Sequence, residues 1–372
     1  MRKYFIWGGG IEGVRAEYNL RNMVEISGFI DSYVTGTTGS KSFDIMKPFD
    51  VLGQKKNYYI VAVSESKYFE IRDQLCAEGL VEFEDFIYWR LFKKEVVFLH
   101  GNCHMAVVRD MLYTSQVFTS KYGIYPLVFI QNMKSEISES LLRNVDVLIS
   151  EDIQEDNRFG YEYSVAYLQG KIHRQKLIVI PNLFGMGKCF FPQFEWDLNH
   201  PIGKDSNGLF PHGDQFINKQ LKNGRSIDDI GEQIKNGAPF SKEEVIDNFN
   251  DNVRKYRDRE KYCDIKIIDF IICNYKIHQL FWDQGHPTNF VMNEIVTRLL
   301  KKIGIEDELL SVDEMNTHEE FVYPCVAQAL ELEWRQERIR CTKNAKKCTA
   351  YMDLDEYINE YVWWNSENIR KI

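Results

Sequence analysis

Two short groups of residues in this 372-residue chain have the makings of covalent chemistry. The first is Gly101-Asn102-Cys103-His104, which follows the apolar run Val97-Phe98-Leu99 and precedes a helical pattern. A thiol on the first turn of a helix meets backbone amides and the positive end of the helix dipole. Both favour the thiolate, which is the nucleophilic form. The same amides can hold a developing oxyanion. The second group is Asp283-Gln284-Gly285-His286-Pro287, set in a loop between two apolar helical runs. An Asp three residues before a His can fix one imidazole tautomer and leave the other ring nitrogen as a base. Each group also has a plainer reading. Cys103 is then a buried structural cysteine, and Asp283 a turn cap with His286 beside it on the surface. The presence of both groups in one chain favours the chemical reading.

A third pattern, Gly8-x-Gly10-x-x-Gly13, follows the strand Lys3–Trp7 and opens a helix, and Asp31 ends the next strand. In this arrangement glycines let a pyrophosphate approach helix amides while the acidic residue reaches a ribose hydroxyl, so a nucleotide or nucleotide-sugar is one expectation. A structural role, with Gly10 needed for packing and Asp31 as a strand-end cap, is the other. His100, Cys103 and His104 are close in sequence, but His100 falls in the strand and no second cluster has zinc-site spacing, so no metal is expected.

These groups need elements to hold them. Lys3–Trp7, Val24–Ile30, Tyr58–Val63 and Asp85–Trp89 read as strands, with helices after the first and third. Strands then recur at Val96–Leu99, Tyr125–Ile130, Val145–Ser150 and Lys176–Ile180. Strands alternating with helices imply parallel βαβ units and an α/β fold. Beyond Ser226 the pattern turns helical, with long runs at Ile265–Leu280 and Asn289–Ile303 and a tail of helical tendency holding the basic stretch Arg335–Lys347. The expected organisation is a small Rossmann-like parallel-sheet domain over 1–93, an α/β domain over 94–310 and a helical extension over 311–372. Residues 196–218 read as a loop-rich lid.

Composition narrows the class. A net charge of −9 argues against nucleic-acid binding, and no uncharged run is long enough to span a membrane. The eight cysteines show no paired CxxC spacing and no secretory signal precedes them, so reduced thiols in a cytoplasmic protein are expected. Self-association is left open.

Three resemblances follow from these residues. Ile6-Trp7-Gly8-Gly9-Gly10, Gly28-Phe29-Ile30-Asp31 and Ile60-Val61-Ala62-Val63-Ser64 resemble the small Rossmann-like modules attached to bacterial sugar-modifying enzymes, over roughly residues 1–90. The thiol turn and the Asp-x-x-His together look like the ends of an SGNH-hydrolase-type (flavodoxin-like) site, with Gly-Asn-Cys in place of Gly-Asp-Ser and Asn182 as the oxyanion-hole amide. Over about residues 95–305 the chain resembles the WcbI-type polysaccharide biosynthesis acetyltransferases. The likeness rests on Gly101-Asn102-Cys103, on Ile180-Pro181-Asn182-Leu183-Phe184 with Phe191-Pro192, and on Gly285-His286-Pro287. It implies coenzyme A as co-substrate and O-acetylation of a capsular sugar. His286 and Asp283 would be base and orienting acid, and Cys103 the acyl carrier or a lining residue. The family usually carries Gln after the Cys, where this chain has His104, a candidate second acid or base. Gly101 and Asn102 fall at the coenzyme site by this likeness; Arg109, Lys188 and Lys204 are candidates for its phosphates by position. A carbohydrate esterase using the same residues and a non-catalytic nucleotide- or sugar-binding protein are the alternatives.

Overall fold

The computed structural model describes residues 2–52, 56–133, 136–173, 176–195, 210, 212–316, 318–343 and 348–369. The chain divides into two compact units, Met1–Val179 with Ile303–Leu310, and Ile180–Lys302 with Ser311–Ile372.

The first unit carries two sheets. β1 (Lys3–Trp7), α1 (Ile11–Leu20), β2 (Ile26–Ile30), β3 (Thr37–Thr38), β4 (Phe43–Met46), α2 (Pro48–Val51), β5 (Asn57–Val61), α3 (Glu65–Ala77) and β6 (Phe86–Tyr88) build a sheet of order β3-β4-β2-β1-β5-β6. Its pairs are parallel except β3 with β4. All five residues of β5 are buried, as expected for a strand covered on both faces. β7 (Glu95–His100), α4 (His104–Thr114), α5 (Gln116–Lys121), β8 (Tyr122–Ile124), α6 (Glu139–Asn144), β9 (Val147–Glu151), α7 (Val165–Lys171) and β10 (Leu177–Ile180) follow. The second sheet has order β10-β9-β7-β8, with β7 parallel to both β8 and β9. Within this unit Glu82 joins the two sheets, accepting from the hydroxyls of Tyr68 on α3 and Tyr125 after β8.

Gly8 ends β1 with φ +130°, and an added Cβ would stand 2.2 Å from the Ala62 carbonyl oxygen. Gly10 has nothing within 4 Å of such an atom. Gly8→Ala is therefore expected to destabilise by about 3 kcal/mol, backbone strain and overpacking combined. Gly10→Ala should cost about 1 kcal/mol or less. Urea unfolding of the two variants checks the contrast.

The second unit holds the two-stranded ladder β11 (Phe194–Glu195) with β12 (Gly213–Asp214), then α8 (Gln215–Lys222), α9 (Ile227–Lys235), α10 (Lys242–Arg259), α11 (Ile268–Asn274), α12 (Asn289–Lys302) and α13 (Pro324–Ala329). A hairpin of β13 (Ile339–Lys343) and β14 (Cys348–Met352) precedes α14 (Leu354–Ile369). Among the described residues, no helix is long and apolar enough to cross a membrane.

Three sequence expectations change. The strand expected at Tyr125–Ile130 lies earlier, as β8, because Pro126 has no amide for the ladder. The helix expected over Ile265–Leu280 shrinks to α11. The Glu260 carboxylate takes the Ile267 and Ile268 amides at 2.8 and 3.1 Å and fixes its start, and the Asn274 side chain folds back onto the Phe270 carbonyl at its end. The tail is not simply helical: Ile339 and Cys341 are buried around a partly exposed Arg340, a period-two pattern, and they form a strand. The basic stretch Arg335–Lys347 lies largely in that hairpin, with residues 344–347 outside the described residues.

Candidate active site

β7 lies between β8, the next strand in sequence, and β9, the one after. The chain thus changes direction across the sheet at β7 and β9, and the crevice at the carboxyl ends of such strands is where ligands bind in open α/β sheets. The thiol turn leaves β7 there, and Glu151 ends β9 there.

Glu151 organises the turn. Its Oε2 accepts the Asn102 amide at 2.7 Å, and its Oε1 meets His104 Nδ1 at 2.9 Å. The carboxylate occupies space a side chain at 101 would need, since a Cβ on Gly101 would stand 2.6 Å from Oε2. The Asn102 side chain accepts the His104 amide at 2.8 Å, and Cys103, half-buried, sits at the cap of α4. With Glu151 fully buried and His104 only 3% exposed, the pair is shielded from solvent. The Met105 and Ala106 amides bond to the Asn102 and Cys103 carbonyls, so the turn's amides are largely engaged in its own structure. His100 takes another course. Its Nδ1 lies 3.0 Å from Ser150 Oγ, and burial pulls its pKa down to about 4, so it is neutral. Among the described residues no group of three metal-capable side chains converges.

The imidazole loop belongs to the second unit. A bridge between Phe281 and Pro287 and the bond from the Trp282 amide to the His286 carbonyl close it tightly. Asp283 is 1% exposed. Its Oδ1 accepts the Gly285 and His286 amides at 2.7 and 2.8 Å, and its Oδ2 meets His286 Nδ1 at 2.7 Å. Burial pushes its pKa up, but the hydrogen bond and charge of His286 win and bring it down to about 2. An ionised carboxylate only accepts, so Nδ1 carries the proton and Nε2 is the basic nitrogen. The Gly185 and Gly187 amides both donate to the Gln284 carbonyl, and a Cβ on Gly285 would touch the Phe184 ring at 3.0 Å. The Phe184–Gly187 and Gln284–Gly285 stretches are thus packed together. Asn182, just after β10, accepts the Phe184 amide at 3.0 Å.

The remaining candidates fall as follows. The Arg109 guanidinium is held by Glu65 and Asp110, at 2.7 and 2.8 Å. Lys188 lies over the Phe194 ring, and burial together with Lys255 lowers its pKa. Lys204 and residues 196–209 of the expected lid lie outside the described residues. Asp31 accepts the Gly9, Tyr33 and Val34 amides. Burial pushes its pKa up, but these bonds bring it down overall. An added Cβ on Gly13 would stand 1.9 Å from the Gly8 carbonyl oxygen. These contacts are the packing and strand-end capping that the structural expectation gives Gly8, Gly13 and Asp31. Glu151 was not singled out from sequence; its one signal is a charged pair, Glu151-Asp152, directly after a buried strand.

A parallel α/β sheet with a thiol and a buried His–carboxylate pair at its switch point has the layout of an α/β enzyme. The chain belongs to the family of the polysaccharide biosynthesis enzyme WcbI, which it matches over residues 96–308. Its fold is similar to a solved structure of WcbI, described as a novel polysaccharide biosynthesis enzyme, in its native form without a disulfide bond between coenzyme A and a cysteine of that protein. The TM-score is 0.58 at 15% identity, covering 74% of this chain and 91% of that one. No curated protein matches the sequence.

Proposed function

We propose that the protein moves an acyl group, acetyl from acetyl-CoA, onto a hydroxyl of a surface-polysaccharide sugar. The observation that carries this reading is Cys103, half-buried at the N-cap of α4 at the switch point of the sheet. The family supports a role in polysaccharide synthesis, and the WcbI structure's description supports coenzyme A as the ligand met by such a cysteine. In the preferred route the Cys103 thiolate bonds to the thioester carbonyl carbon, the C–S bond to coenzyme A breaks, and the departing thiolate takes up a proton. The sugar hydroxyl then gives its proton to His286 as its oxygen bonds to the acyl carbon, and Cys103 leaves as thiolate. In the direct route His286 deprotonates the hydroxyl, which attacks the thioester itself, and Cys103 lines the site. His104, held by Glu151, is a second acid or base, and Asn182 an oxyanion donor. With Arg109 engaged by two carboxylates, Lys188 is the better candidate for an acidic group of the coenzyme. We place the reaction in the cytoplasm and the catalytic domain at 94–310.

Intact-mass measurement after mixing with acetyl-CoA tests the reading. One acetyl adduct per chain, absent in Cys103→Ala, is expected for the covalent route. Acceptor acetylation without an adduct gives the direct route. Release of free acetate with no acceptor modified would replace the transferase by an esterase.

A further inference from the structure

The first unit holds a cavity of about 330 Å³ between α3 and β7, at the low end of the sizes that take small molecules. α3 supplies Phe69, Arg72 and Asp73, β7 supplies Phe98, and the stretch after β8 supplies Tyr125 and Glu136. The family match begins at residue 96, so the α3 wall lies outside the matched domain.

The walls are largely apolar and held in place. The Tyr125 ring meets those of Phe69 and Phe98 edge to face, with centroids 6.1 and 6.0 Å apart. The Tyr125 hydroxyl donates to Glu82 Oε1 at 2.9 Å, which anchors the ring. Further along the same stretch, the Ile130 amide donates to the Gly101 carbonyl at 2.9 Å. The chain that lines the cavity therefore also touches the thiol turn.

The polar groups are of both signs. The Arg72 guanidinium lies over the Phe69 ring, 5.3 Å from its centroid, and its Nε and Nη2 donate to Asp73 Oδ1 at 3.1 and 2.8 Å. Glu136 Oε2 accepts the Tyr167 hydroxyl at 2.9 Å. Asp73 and Glu136 are both exposed. Among the described lining residues Asp73 offsets the guanidinium, and Glu136 leaves one negative charge. That balance disfavours the phosphates of a nucleotide or of coenzyme A. It suits a neutral polyol, whose hydroxyls donate to carboxylates and accept from a guanidinium, and whose C–H face can lie against aromatic rings. A pyranose ring has both features.

We propose that this cavity is a carbohydrate subsite, holding a neutral sugar ring of the acceptor between the N-terminal module and the family domain. The inference rests on reading the acceptor as a carbohydrate, but its test needs no turnover. Saturation-transfer NMR on the full chain, with the methyl pyranosides of glucose, galactose and mannose as probes, should show transfer to the ring protons of at least one. Asp73→Ala, which removes an exposed carboxylate, should raise the Kd of that sugar about tenfold, the effect of one hydrogen bond to a charged group. Phe69→Ala, with its melting transition checked, should weaken binding as well. Cys103→Ala should leave it unchanged, and the coenzyme A Kd by calorimetry should be the same in Asp73→Ala as in wild type. No transfer to any of the three probes, or transfer undiminished in Asp73→Ala, would overturn the proposal. A coenzyme A Kd that rises along with that of the sugar would assign the cavity to the coenzyme and overturn it too. If Phe69→Ala does not fold, Asp73→Ala decides alone. Sugar binding here in a protein that transfers no acyl group would reject the acyltransferase reading and leave the subsite standing.

Discussion

Replacing His286 by Ala is expected to cut acyl transfer to a hydroxyl acceptor by about 10²–10⁴-fold, the usual contribution of a positioned general base. Asp283→Asn should approach the upper end of that range, for a reason visible in its hydrogen bonds. Oδ1 accepts two backbone amides, so the carbonyl oxygen of an Asn would keep that place. Its NH₂ would then face His286 Nδ1, which must become the acceptor, and the proton moves to Nε2. The ring stays in place with the wrong nitrogen basic. Steady-state rates with acetyl-CoA and an acylatable sugar test both variants, and activity retained in both would remove His286 from the reaction. The pair also has an acid limit. The Asp283 pKa is depressed to about 2, so its stabilising contribution is complete above its unfolded value near 3.8 and is lost as pH falls through about 2.

Glu151→Ala should be the most damaging change to stability, at about 3–5 kcal/mol. That is the cost of removing the shared acceptor of two buried hydrogen bonds together with the cavity it leaves. It would leave the Asn102 amide and His104 Nδ1 without their acceptor and open a cavity beside Gly101. Glu151→Gln keeps one acceptor oxygen and should lose roughly half as much. Denaturant unfolding gives both values. The alkylation rate of Cys103 reads the turn directly, because a loosened cap exposes the thiol. A Glu151→Ala protein as stable as wild type would mean that the turn holds itself.

What the sequence made legible was local. Near-continuous apolar runs announced β1, β5, β7 and β9, and the Cys103 turn and the Asp283–His286 pair show because their partners lie within a few residues. Glu151 escaped notice because it meets His104 across 47 positions, a distance closed only by the pairing of β7 with β9. The tail has helical tendency in sequence, while the burial of Ile339 and Cys341 that makes part of it a strand is decided by neighbours elsewhere in the chain. Asp31, by contrast, has its hydrogen-bond partners within three residues or in the adjoining glycine turn, so its capping role was legible from sequence.

Gly101 and Glu151 fill one volume between them. Neither position can drift independently, because a larger residue at 101 collides with the carboxylate and a shorter one at 151 leaves an empty, unpaired pocket. The two are a lock with two tumblers, in which each single step lies downhill in fitness and only a joint exchange crosses. Relatives of this chain that have changed one should therefore have changed the other, together with whatever stands at 104.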